Sequence, residues 1–180
     1  MTDFARLPLY DSENRLRVVV ETPRGSTIKY AHEPDLGAFV VSKFLSVGLC
    51  FPADFGFFPS TVAEDGDPLD ALIFHETATF PGLVMPVRAI GVLRVLQREP
   101  GKKIRNDRII AVPAAAGGTR LTDARDLDKG LRQRFEWFFS ATDELEEKTL
   151  KFLGWKGPQT ALKLIKECAE RYGRNGLGPT

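Results

Sequence analysis

Cysteine, methionine, tryptophan and histidine are scarce in these 180 residues, with two of each, and no charge dominates, since 25 basic residues face 24 acidic ones. Cys50 and Cys168 have no metal-ligand spacing, and so distant a pair makes no disulfide framework. A reducing cytoplasm fits that usage. The net charge of +1, without a long single-sign block, leaves no electrostatic footprint for nucleic acid. No apolar run approaches the length that crosses a bilayer, so no membrane partner is expected. The opening MTDFARLPLYDSENRL is too polar for the apolar region of a secretory leader. There is no internal repeat and no low-complexity tract. What is present, 43% hydrophobic and 27% charged residues, predicts one soluble domain over residues 1–180 with ample material for a core.

The densest chemistry lies in FPADFGFFPSTVAEDGDPLD, residues 51–70. Asp65, Asp67 and Asp70 fall within six residues, with Gly66 and Pro68 setting how the chain turns. Carboxylates this close repel one another and raise one another's pKa unless a cation sits among them. Hard divalent cations such as Mg²⁺ take such oxygen ligands. An ordinary Asp-Gly turn followed by Asp-Pro is the other reading of the same residues. The EF-hand calcium loop is excluded, because its glycine position and closing glutamate are missing. Leu69 to Phe74 reads as a buried strand that starts at the acids, which stands Asp70 on scaffold and Asp65 and Asp67 on the turn before it.

Strand patterns fill the first two thirds. Arg15 to Glu21 alternates and then becomes continuously apolar, Pro23-Arg24-Gly25-Ser26 turns, and Thr27 to Tyr30 returns. Ala38 to Phe44 follows the Asp35-Leu36-Gly37 turn, and Val84 to Leu96 is a long β-branched run in which Gly91 marks a bend where a sheet curls towards closure. Ile109 to Pro113 is one more short buried strand. Helical spacing then takes over. Leu127, Leu131, Phe135, Phe138 and Leu145 predict an amphipathic helix from Asp126 to about Glu147. A second follows Gly157-Pro158, with Leu162, Ile165, Ala169 and Tyr172 on one stripe and Gly173 marking its end. Strands followed by helices predict an α+β, mainly β fold with a small closed barrel and flanking C-terminal helices.

Three blocks in this order, Glu21-Thr22-Pro23-Arg24-Gly25-Ser26-Thr27-Ile28-Lys29-Tyr30, Phe51-Pro52-Ala53-Asp54-Phe55-Gly56-Phe57 and Asp65-Gly66-Asp67-Pro68-Leu69-Asp70, resemble the soluble family I inorganic pyrophosphatases. Gly91-Val92-Leu93, Ile110-Ala111-Val112-Pro113 and Leu153-Gly154-Trp155 extend the likeness. The resemblance implies a five-stranded OB-like barrel, Mg²⁺-dependent hydrolysis of pyrophosphate to two phosphates, and a homo-oligomer, commonly a hexamer; Mn²⁺ is the alternative to Mg²⁺. It also implies roles. Asp65 and Asp70 are metal ligands, Glu21 supports the metal shell, and Asp67 orients or deprotonates the attacking water. Lys29 grips a phosphate, and Lys43 stands where the family usually has an arginine, keeping the charge without the bidentate fork.

Departures from the family pattern gather at the same site. Ala31 stands where a glutamate is expected. Phe51, Phe55 and Phe57 replace tyrosines and keep the rings without the hydroxyls, which touches the substrate-side role of Phe55. Gln97 and Asn106 fall at two aspartate positions, so Asn106 becomes a neutral metal ligand, while Arg108 replaces a lysine and still serves a phosphate. Thr142-Asp143 replaces a Tyr-Lys pair. The 97–107 loop reads as longer than usual and offers Glu99 and Asp107 as two candidates to replace a lost carboxylate, with the sequence leaving open whether either does. These changes predict impaired or altered hydrolysis. The alternative is a pyrophosphatase-like pseudoenzyme that holds a metal, a phosphate ligand or a partner such as an active homologue without efficient catalysis. A third reading uses Phe51, Phe55, Phe57 and Phe58 as a stacking surface for single-stranded nucleic acid.

Overall fold

The computed structural model describes residues 3–77, 79–114, 119–144 and 148–174, with 143 and 144 as backbone alone. Among these described residues, nine strands and two helices follow one another as β1 (Leu16–Thr22), β2 (Ile28–Glu33), β3 (Ala38–Phe44), β4 (Asp54–Phe57), β5 (Asp70–Ile73), β6 (Val84–Glu99), β7 (Lys102–Arg105), β8 (Arg108–Pro113), α1 (Lys129–Glu144), β9 (Thr149–Lys156) and α2 (Pro158–Arg174). Five strands close a ring in the order β1, β4, β5, β8, β6 and back to β1, all neighbours being antiparallel except the parallel pair β5 and β8. The small closed five-stranded architecture with C-terminal helices is therefore present.

One long strand makes the closure possible. The start of β6 pairs with β1 (Leu16↔Val87 to Val19↔Val84), its middle pairs with β8, and its far end supports β9 on one side and the β7 hairpin on the other. Its pairing with β8 slips between Ala89 and Gly91, at the glycine expected to mark a bend. A side chain at Gly91 has no room, because a Cβ there would lie 2.5 Å from both the Ala124 methyl and the Lys156 carbonyl oxygen.

Strand alternation explains the unbroken apolar runs. Ala71 and Ile73 of β5, with Ile109 and Ala111 of β8, pack into one core with Ala161, Ile165 and Cys168 of α2. Leu72, Ile110 and Val112, on the opposite faces of the same strands, pack into a second core with Phe135, Phe138 and Phe139 of α1. Both faces of these strands are thus covered, so neither needs a polar residue.

Several expected boundaries change. Strands β4, β7 and β9 have no counterpart in the periodicity reading: β4 and β7 have four residues each, and β9 shows only a half-buried face. Strand β9 also separates the two helices, which were expected in succession. Helix α1 begins at Lys129, behind Asp128, whose carboxylate accepts from Leu131 N at 3.0 Å and caps the first turn. Asp126 instead closes a 3-10 turn from Ala124, with Leu127 just after it. Leu145 and Glu147 lie outside the described residues. Helix α2 starts at Pro158 as expected but buries Ala161, Ile165, Cys168 and Tyr172, while Leu162 is 49% exposed and Gly173 stays inside the helix. The burial stripe follows the cysteine rather than Leu162.

Candidate active site

A cavity of about 560 Å³ opens at one end of the ring, and each lining residue arrives there by its strand position. Lys29 and Lys43 are cross-strand partners on β2 and β3, so their side chains share one face. Phe55 comes from β4, Glu21 from β1, and Asp65 and Asp67 from the turn before β5. In that turn Gly66 has φ +97°, the Asp65 carboxylate accepts from Asp67 N at 3.2 Å, and Ala63 N donates to Asp67 O at 2.8 Å. The acid turn therefore has the Asp-Gly geometry expected of a tight turn and faces the cleft as well.

Asp70 and Arg108 open the parallel strands β5 and β8, whose register pairs Ala71 with Ile109. The two charges consequently stand side by side, with Arg108 Nε 3.8 Å from Asp70 Oδ2. Asn106 precedes β8, while Gln97, Glu99, Lys102 and Ile104 come from the β6–β7 hairpin. Every sequence-predicted site residue, Glu21, Lys29, Lys43, Phe55, Asp65, Asp67, Asp70, Asn106 and Arg108, lines this one cavity.

Aromatic rings hold the cations. The guanidinium carbon of Arg108 lies 4.2 Å from the Phe139 ring centroid, and Lys29 Nζ lies 5.6 Å from that of Phe55. Phe55 in turn packs on Phe51, with centroids 5.8 Å apart, and Phe51 packs on Phe138 at 5.0 Å. The tyrosine-to-phenylalanine positions thus act here as an apolar wall. Lys43 Nζ donates to the Thr142 carbonyl oxygen at 3.2 Å, which ties β3 to the end of α1. Phe51, Phe55, Phe57 and Phe58 are all buried, so they offer no stacking face and the nucleic-acid reading loses its surface.

Burial, ahead of all other causes, pushes the Glu21 carboxyl up to about 7 and that of Asp70 up to about 6. The backbone N–H of His32, 2.8 Å from Glu21 Oε1, pulls Glu21 the other way, and Arg108 and Lys29 do the same for Asp70. Asp65 is also raised, again by burial first. A sheltered carboxylate set with raised pKa values is an oxygen-donor surface whose charge a divalent cation would offset. Among the described residues, no group of three or more His, Cys, Asp and Glu side chains forms a ready-made ligand set.

Of the two proposed replacement carboxylates, Glu99 lines the cavity and Asp107 does not. Asp107 is taken by Arg105, whose Nη2 is 2.5 Å from both carboxylate oxygens, and accepts from Val95 N at 2.8 Å. It braces the hairpin from outside the cleft. His32, Lys102 and Lys148 also line the cavity and were missed. Lys102 sits on the unread strand β7, and no motif marks it or Lys148. The side chain of Asp143 is outside the described residues.

The sequence profile of the inorganic pyrophosphatases matches residues 18–173. The chain belongs to the inorganic pyrophosphatase family. It is 35% identical to the inorganic pyrophosphatase of Thermus thermophilus, over 96% of this chain and 99% of that one. It is 33% identical to that of Synechocystis, over 94% of this chain and 99% of the relative. The crystal structure of the Thermus thermophilus inorganic pyrophosphatase superposes with a TM-score of 0.86 over 96% of this chain and 99% of that chain. The pyrophosphatase match includes all three blocks that carried the resemblance and all the cavity residues except Ala5.

Proposed function

We propose that the chain hydrolyses inorganic pyrophosphate to two phosphates with a divalent cation, Mg²⁺ or Mn²⁺, in the cytoplasm. The observation that supports it is the meeting of Glu21, Asp65, Asp67 and Asp70 with Lys29, Lys43 and Arg108 in one cleft of a pyrophosphatase fold. A densely anionic substrate needs both kinds of group.

Asp65, Asp70 and Glu21 would hold the cation. When bound, the cation neutralises the substrate and makes water a usable nucleophile near neutral pH. Asp67 accepts the proton of the attacking water as the oxygen–phosphorus bond forms. The bridging P–O bond then breaks, its electron pair leaves with the departing phosphate, and Lys29, Lys43 and Arg108 hold the phosphoryl oxygens in line. Phe55 keeps Lys29 in place. The pseudoenzyme alternative finds no support in this cleft, where the central acids and cations are all present. A homo-oligomer belongs to the same proposal. It fits the exposed Val41, Phe44, Val47 and Trp137, which a neighbouring copy would cover.

Phosphate release with Mg²⁺ and with Mn²⁺, measured beside Asp67→Asn, tests the reaction. The expected result is turnover in the native chain and a loss of roughly 10²-fold or more in the variant. Equal background rates would sink the proposal.

A further inference from the structure

The cleft has a second wall whose chemistry differs from that of the acid turn. In the β6–β7 hairpin Gln97 pairs with Ile104 and Glu99 with Lys102, so these four side chains project from one face, and all four line the cavity. A directional chain of hydrogen bonds runs along it. Asn106 Nδ2 donates to Gln97 Oε1 at 3.1 Å, and Gln97 Nε2 donates to Glu99 Oε1 at 2.5 Å. That same Glu99 oxygen lies 3.7 Å from Lys148 Nζ. Gln97 therefore spends its acceptor on Asn106, and the one carboxylate of the wall is engaged by an amide and an ammonium.

Such a wall suits an anion and not a cation. A divalent ion arriving here meets neutral amides and the like charges of Lys102, Lys148 and Arg108, so these residues fit a metal poorly. A phosphate meets three positive groups. Lys102 has no ion-pair partner among the described residues, which leaves its ammonium available to the cleft. Arg108 stands where this wall meets the acid turn, its Nε 3.8 Å from Asp70: its side chain is 5% exposed, and that buried Nε has no hydrogen-bond partner. A buried donor without an acceptor is costly, and a phosphate oxygen removes that cost.

Resting on the reading of the cleft above, we propose that the hairpin wall is a phosphate grip that works without a divalent cation. Lys102 and Lys148 are its substrate-binding residues, and Glu99 is the residue that positions Lys148. Cation binding is confined to the acid wall of Glu21, Asp65, Asp67 and Asp70. The grip holds one phosphoryl group of the diphosphate while the acid wall serves the other.

Calorimetric titration with inorganic phosphate in EDTA is the test, on the native chain, Lys102→Ala, Lys148→Ala and their double variant. Both lysines are solvent-accessible, and circular dichroism verifies the fold of each variant. The native chain binds phosphate without metal, and the double variant weakens that binding roughly tenfold or more, the scale of a charge-assisted hydrogen bond. Spin-resonance titration with Mn²⁺ is the second arm, in which Gln97→Asp with Asn106→Asp increases the number of ions bound. No phosphate uptake in EDTA by a native chain that still hydrolyses diphosphate overturns the grip alone. Equal affinity of native and double variant also overturns it. A native chain that binds phosphate in EDTA, yet hydrolyses no diphosphate with either metal, refutes the hydrolytic reading and leaves the grip standing.

Discussion

Arg108 is held between a ring and a carboxylate: its guanidinium carbon lies 4.2 Å from the Phe139 centroid, and its Nε lies 3.8 Å from Asp70. Stacking fixes the plane of the guanidinium, and the parallel register of β5 and β8 fixes its position beside the acids. A lysine keeps the charge but loses both the stacked plane and the fork of donors. Arg108→Lys is therefore expected to lower kcat/KM for pyrophosphate by roughly 10²-fold, the scale of one oriented donor. Steady-state phosphate release decides it, and an unchanged kcat/KM would show that position 108 needs only charge.

Glu99 and Asp107 divide the work that sequence alone left undivided. Glu99 faces Lys148 and Gln97 inside the cleft, whereas Asp107 binds Arg105 and the backbone N–H of Val95 outside it. Glu99→Gln is expected to raise KM with little change in melting temperature. Asp107→Ala leaves a buried N–H and a half-buried guanidinium without their acceptor, at a cost of about 2 kcal/mol. It should lower the melting temperature by roughly 4–8 °C for a chain of this size. Paired kinetics and thermal melts on both variants check this, and the opposite pattern would exchange the two assignments.

Motifs and apolar patterning made the acids, the lysines and the ring legible. The acid turn is local, so Asp65, Gly66, Asp67 and Asp70 announce it by spacing alone, and the continuous apolar runs of β5 and β8 announce burial on both faces. Lys102 stayed hidden because β7 has only four residues and shows no period of its own, and Lys148 because its place depends on the pairing of β6 with β9, which is non-local. Strand β9 reads as polar on one side and makes too weak a period to be seen. In α2, Ile165 and Tyr172 are buried as expected, whereas Ala161 and Cys168 take the places expected of Leu162 and Ala169 because they are small enough to lie against β6, a choice made by packing rather than by hydropathy.

Gly56 shows how tightly β1 and β4 approach. A Cβ at this position would lie 1.9 Å from the Val19 carbonyl oxygen and 2.9 Å from its carbon, both backbone atoms of the paired strand. Neither can move without breaking the ring beside Phe55. Gly56→Ala is expected to destabilise the fold by about 3 kcal/mol, the upper part of the range for overpacked cores. It should also displace Phe55 and so weaken substrate binding. Urea denaturation gives the first quantity and KM the second. A loss below about 1 kcal/mol would mean the strands separate more easily than their close approach implies.

Burial raises Glu21 to about 7 and Asp70 to about 6, against ordinary carboxyl values near 4. Between those values the folded, metal-free chain keeps protons that the unfolded chain has already released. Raising the pH across that window therefore favours unfolding. The stabilising contribution of these two groups is complete below about pH 4 and is lost as pH climbs through 6 to 7. His32 works the other way, since burial lowers its pKa and its folded form sheds a proton early, so stability from it grows as pH rises towards the ordinary histidine value. Comparing the native chain with Glu21→Gln/Asp70→Asn cancels the histidine. In EDTA the double variant should melt higher than the native chain at pH 8, and the gap should shrink at pH 5. Adding Mg²⁺ at pH 8 should raise the native melting temperature and leave the variant unmoved, because the two buried charges that destabilise the native chain are those the cation offsets. A gap that stays the same at both pH values would remove burial of these two carboxyls as its cause.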